Sequence, residues 1–178
     1  MPLNDETLLM VVCLDDTDVS ATILPTARRL ARLSDAEVHL LRVVDLNAVH
    51  ESLRRGRGGT GLTGYTDAHV AYSTMPSQEG RIGAVVEPRG QAIRRVRQTT
   101  EIALTAQLEG FPDNSRAVVL DHKDAAQAIV EYARDVGAGL IAMATHSRRP
   151  IAELFTGSIT EAVVRSGVAP VVVEHPAG

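Results

Sequence analysis

The sequence predicts an α/β protein: a single domain over 1–178, built on a five-stranded, mainly parallel sheet with helices on both faces. Three observations carry that expectation. Short unbroken apolar runs recur along the chain, as strands buried on both sides require. Segments with helical spacing separate them. A length of 178 residues suits one domain with a core of its own.

The first strand is 8–14, Leu-Leu-Met-Val-Val-Cys-Leu. Asp15-Asp16-Thr17-Asp18 stops it and supplies side chains that cap a helix. Ile23, Ala27, Leu30 and Ala31 mark the buried stripe of that helix, and Pro25 marks a kink or a later start. The second strand, 37–44, ends at Asp45.

From about 47 to 90 the rhythm breaks. Gly56, Gly58, Gly59, Gly61 and Gly64 fall there without a sustained apolar period, so the stretch reads as a Gly-rich insertion with a short element near Ala68–Tyr72. A second helix follows from about Gln91 to Leu108. Ile93, Val96, Ala103, Leu104 and Leu108 line one face, Arg94, Arg95 and Arg97 the wet one, and Gly110 with Pro112 closes it.

The third strand is Arg116–Leu120. Asp124 caps the next helix, with Gln127 at the capping-box position, Ala126, Ile129, Val130 and Ala133 buried, and Gly137 at its end. Gly139–Ala144 is the fourth strand. Ser158-Ile159-Thr160-Glu161 is a capping box opening the last helix, which Gly167 terminates before the fifth strand, Pro170–Glu174.

Composition excludes several functions. Lys+Arg 18 against Asp+Glu 22 gives a net charge of −4, which offers no general attraction to nucleic acid or an anionic membrane. Aromatics are 3% and tryptophan is absent, so base-stacking platforms are not expected. No apolar run is long enough to span a membrane, and the N-terminus lacks the basic start of a secretory signal. A single cysteine, Cys13, forms no internal disulfide, sits in an apolar strand as an inert thiol, and fits a cytoplasmic protein.

Other local patterns carry little chemistry. Gly59-Thr-Gly61-Leu-Thr-Gly64 matches a dinucleotide fingerprint in letters but lacks the strand–turn–helix context. Arg54, Arg55 and Arg57 read as a solvated loop. His146 beside Ser147 has no third group to make a triad, and His39 reads as a satisfied structural histidine. The six histidines show no metal spacing, and no phosphate-binding loop of the motor ATPase type is present.

In open parallel sheets, ligands bind beyond the carboxyl ends of the strands, where strand order reverses. Leu14-Asp15, Val43-Val44-Asp45, Ala144-Thr145-His146-Ser147 and Gly157-Ser158 fall at such places. Gly157-Ser158 has the chemistry of an anion site: free N–H groups at a helix start, close backbone approach, and a hydroxyl. Ser158 fits both a helix cap and a phosphate partner.

These residues bring a resemblance into view. Leu14-Asp15, Leu40–Val44, Leu140–Arg148, Gly157–Glu161 and Ala169–Val173 together resemble the universal stress protein family, over about 7–45 and 90–174. The resemblance implies a Rossmann-like sheet, a homodimer through the last strand (Val171, Val172, Val173), and in many members a bound ATP or other adenine nucleotide, with any Mg arriving on it. Binding members share a motif of Gly, two residues, Gly, nine residues, Gly, then Ser or Thr. Its glycines fall on Ala144, Ser147 and Gly157, followed by Ser158, so the spacing is intact and the first two glycines are replaced. By that resemblance Asp15 contacts the adenosine end, Val43 the adenine through its main chain, Ala144 the ribose, and Ser147, Gly157, Ser158 and Thr160 the phosphates.

The expected function is a stress-response module that senses an adenine nucleotide with a degenerate motif. The alternative is a dimeric adaptor that binds no nucleotide and works through protein contacts. No general base is identifiable, so turnover beyond slow ATP hydrolysis is not expected.

Overall fold

The computed structural model describes residues 7–54, 88–145 and 159–175. The short element near Ala68–Tyr72, the Gly59–Gly64 pattern, and Ser147, Gly157 and Ser158 lie outside those residues.

Five strands form one sheet: β1 (Leu9–Cys13), β2 (Glu37–Val44), β3 (Arg116–Asp121), β4 (Leu140–Ala144) and β5 (Val171–Glu174). Every neighbouring pair is parallel, in the order β3-β2-β1-β4-β5. The helices are α1 (Asp18–Ala21), α2 (Ile23–Ser34), α3 (Leu46–Arg54), α4 (Arg89–Ala106), α5 (Ala125–Asp135) and α6 (Ile159–Ser166).

Two apolar layers explain why the strands are unbroken hydrophobic runs. On one face Met10, Val12, Leu14, Val38 and Leu40 pack with Ile23, Leu24, Ala27 and Ala31 of α2 and Leu104 of α4. On the other, Val11, Cys13, Leu41, Ile141 and Met143 pack with Ile129 and Ala133 of α5 and Val163 of α6. Alternation along β1 thus feeds both layers, and neither side can carry a polar residue cheaply.

Several local expectations hold for the physical reason given, and some shift. Thr17 caps α1 by accepting from the Ser20 amide at 3.2 Å. Pro25 marks the later start: the helical stretch is divided at Thr22, α1 ending at Ala21 and α2 beginning at Ile23, and Pro25 sits in the first turn of α2, where its missing N–H has no intrahelical partner to lose. Asp124 caps α5 through the Gln127 amide at 3.0 Å, but the Gln127 side chain turns to Glu131 (2.8 Å), so the box is only half made.

On α4 the buried stripe is Ala92, Val96, Thr100 and Leu104. Ala103 faces outward, and Thr100 enters the stripe because its hydroxyl bonds back to the Val96 carbonyl at 2.9 Å. The insertion expected over 47–90 opens with regular structure: Asp45 Oδ1 accepts from the amides of Asn47 and Ala48 (3.0 and 2.9 Å) and starts α3. Gly137 and Gly167 end α5 and α6 with φ of +66° and +62°, where a side chain would be strained.

At the amino end of the sheet His39 is fully buried and satisfied. Its ring nitrogens meet Glu37 Oε1 (2.8 Å), Arg116 Nε (2.7 Å) and the Tyr132 hydroxyl (2.9 Å). Burial, chiefly, raises the Tyr132 pKa; Glu37 adds to the rise and Arg116 opposes it. Burial alone pushes the Cys13 thiol up to about 12.

Both groups are held protonated in the folded chain. Above the ordinary thiol value of 9.0 the unfolded chain sheds protons that the native state keeps, so stability falls as pH rises toward 12. Urea midpoints measured upward from neutral pH should decline through that window, and Cys13→Ala should flatten part of the slope. In the native protein at neutral pH, Cys13 should resist alkylation until unfolding exposes it.

Candidate functional site

Strand order fixes where a site belongs. The chain adds β2 and β3 on one side of β1, then returns to add β4 and β5 on the other. The reversal therefore lies between β1 and β4, and in open parallel sheets the ligand crevice lies outside the carboxyl ends of the strands at such a point. β1 runs into Leu14 and Asp15 there, and β4 into Ala144 and Thr145.

Asp15 sits in a turn whose polar groups are held from several directions. Its Oδ1 accepts from the Thr17 amide (2.8 Å) and hydroxyl (2.6 Å). Its own amide donates to Ser20 Oγ at 3.1 Å, and the Ser20 hydroxyl lies 3.2 and 2.9 Å from the carbonyls of Asp15 and Thr17. The Asp15 carbonyl also accepts from an Arg42 Nη2 on β2. The turn presents a solvent-exposed aspartate on a fixed backbone.

Val43 enters through its main chain. The Leu41 carbonyl accepts from the Leu14 amide (2.9 Å), toward β1, while the Val44 carbonyl accepts from the His122 amide (3.2 Å), toward β3. Strand alternation then turns the N–H and C=O of Val43 to the β1 side, where β1 has already ended at Cys13. Among the described residues no backbone hydrogen bond reaches Val43 from that side. A donor and an acceptor thus face the crevice beside the Asp15 turn, while the Val43 side chain packs in the layer under α5 and α6.

Ala144 ends β4 in register with Glu174, and the Thr145 amide donates to the Glu174 carbonyl at 3.0 Å. Its methyl is buried in the layer under α2 with Leu14. Asp35 is the one non-glycine residue with positive φ among the described residues, so Ala144 carries no left-handed strain in place of a glycine. Thr160, the second residue of α6, is buried. The carboxyl edge of the sheet thus gathers Asp15, Val43 and Ala144.

Arg42 and Ser20 are the polar residues at this edge that pattern reading passed over. The signal was a charge inside the run Leu40-Leu41-Arg42-Val43-Val44. Asp121 was passed over too; its Oδ1 accepts the Leu46 amide at 3.1 Å and fixes the start of α3. Among the described residues no group of His, Cys, Asp and Glu is arranged to hold a metal.

Comparison with known proteins agrees with this fold. The model of the Universal stress protein family matches residues 66–175. No curated protein sequence matches the chain. Among solved structures, the hypothetical protein MJ0577 superposes with a TM-score of 0.62 at 16% identity, over 96% of this chain and 97% of that one. A universal stress protein in complex with cAMP gives 0.52 at 19% identity, over 96% and 98%. The universal stress protein from Archaeoglobus fulgidus in complex with dAMP gives 0.52 at 16% identity, over 94% and 97%. At these identities the likeness is one of fold.

Because Ala144 is a regular, buried strand residue, Ala144→Gly should cost about 1 kcal/mol of stability through backbone entropy and a lost methyl contact. Urea unfolding of the variant checks this; an unchanged or raised midpoint would mean that the position is strained.

Proposed function

The chain belongs to the universal stress protein family, and we propose that it is an adenine-nucleotide-binding member in which occupancy of the β1–β4 crevice is the signal. The observation that carries this reading is the pair of Val43 main-chain groups turned over the end of β1, beside the Asp15 turn. A donor and an acceptor side by side on one residue match the adenine edge, which offers an acceptor and an amino donor. Asp15 then serves the adenosine hydroxyls, Ala144 borders the ribose, and Ser147, Gly157, Ser158 and Thr160 take the phosphates, with any Mg arriving on the nucleotide. The complexes with cAMP and dAMP among the fold relatives support the ligand class.

The departure from the family motif at Ala144 weighs less than its letter suggests. Ala144 keeps a strand conformation and buries its methyl in the layer under α2. Ligand binding shifts conformation only through a difference in affinity between states, so signalling requires that the α6 side of the crevice respond to occupancy.

We propose further that the chain pairs with a second copy through β5. The strand lies at one edge of the sheet, Val171, Val172 and Val173 are half-buried, and Ile159 and Val164 of the adjoining α6 are exposed. An apolar edge of this kind pairs with another strand unless it is covered. The second reading, an adaptor dimer that binds no nucleotide, keeps this interface and drops the ligand. Among the described residues no helix is long and apolar enough to cross a membrane, in keeping with the proposed cytoplasmic location.

Calorimetric titration with ATP, ADP and AMP separates the two readings. Binding with a rise in melting temperature is the expected result. Absence of binding at millimolar nucleotide, followed by binding once Ser147 is replaced with glycine, would establish the adaptor reading. Sedimentation at tens of micromolar should show a dimer, and a monomer there would remove the β5 interface.

A further inference from the structure

Among the described residues Arg42 is the one Asp, Glu, Lys or Arg side chain buried in the strands, at 9% exposure. Arginine is rarely buried unless it is paired. Among the described residues no carboxylate lies within ion-pair distance of this guanidinium. Its hydrogen-bond partner is the Asp15 carbonyl, and its Nε is buried without one. Stability does not call for such a group. An apolar side chain of similar volume would fill the space without desolvating a charge.

The placement gives the charge a different use. Arg42 precedes Val43 on the same strand, with its side chain on the α2 face while that of Val43 lies on the other. Its guanidinium crosses from β2 to the turn after β1, beyond the last ladder pair, Cys13 with Leu41. From the far side of that turn Ser20, itself buried, takes the Asp15 amide. The Asp15 backbone is thereby held by α1 and β2 together.

We propose that Arg42 is a positioning residue for the nucleotide: through the Asp15 carbonyl it locks the β1–α1 turn to β2 and fixes Asp15 against the Val43 main chain before the ligand arrives. This rests on the nucleotide reading above. Preorganisation of this kind raises affinity by removing the ordering cost of binding. It makes the guanidinium a determinant of affinity that touches no part of the ligand.

The test uses the full chain with Arg42→Met, Arg42→Lys and Ser20→Ala, read by amide hydrogen exchange and by AMP calorimetry. Arg42→Met should speed exchange at Asp16–Ser20 about tenfold while amides of α5 and β4 keep their rates. It should weaken AMP about tenfold with the melting temperature nearly unchanged. Arg42→Lys should restore part of both effects, and Ser20→Ala should loosen the same turn; these two serve if the methionine variant does not fold. Unchanged exchange at the turn overturns the proposal whatever the nucleotide does. Wild-type protein that binds AMP alongside an Arg42→Met protein that binds it equally overturns the proposal alone. Wild-type protein that binds no AMP overturns the nucleotide reading, and the proposal with it.

Discussion

The parallel pairing of β1 with both β2 and β4 is the constraint on which the rest depends. It makes β1 the central strand, and it forces the chain to reverse its direction of travel across the sheet there. Parallel neighbours on both sides bury β1 on both faces, which is why Met10, Val11 and Val12 have no exposure. The same pairing ends β1 earlier than β2. That mismatch leaves the main chain of Val43 facing a gap instead of a ladder partner. The core and the proposed site therefore have one cause: the strand that makes the core continuous is also the strand whose early end leaves the Val43 main chain open.

Polar side chains cluster where the ladders stop, and most of them hold backbone. Asp15 closes its own turn, while Asp45 and Asp121 start α3. Thr26 reaches Glu174 at the end of β5 at 3.0 Å, tying α2 to the opposite edge. From the middle of α2, Arg28 donates to the carbonyls of Glu109 (2.9 Å) and Gln107 (3.2 Å) and lies over Phe111, so carbonyls just past the end of α4 are satisfied by a side chain of its neighbour. At the carboxyl edge, among the described residues, the turns after β1 and β2 are held by contacts from a neighbouring strand, Arg42 on the Asp15 carbonyl and Asp121 on the Leu46 amide, which is what a crevice assembled from several loops requires.

Much of this was legible in the residues. Strands with unbroken apolar runs between capped helices admit few arrangements, and the strand ends at Asp15, Val43 and Ala144 follow from them directly. The illegible parts have physical reasons. Ala103 has the right hydrophobicity for the buried face of α4, but an i, i+4 stripe through Thr100 wins because its hydroxyl finds a partner within the helix. The helix at Leu46–Arg54 was hidden by the glycines that follow it, although Asp45 carried the cap signal. The role of Arg42 could not be read from sequence, since it depends on a turn from another strand passing within reach of its guanidinium.

Backbone amide NMR shifts mapped while AMP is added test nucleotide binding at the carboxyl edge most directly. Shifts concentrated at Asp15–Ser20, Val43–Asp45 and Ala144–Thr145, with His39 and Arg116 at the opposite end unmoved, are the predicted result. Shifts centred on the amino ends of the strands, or none at saturating AMP, would contradict it.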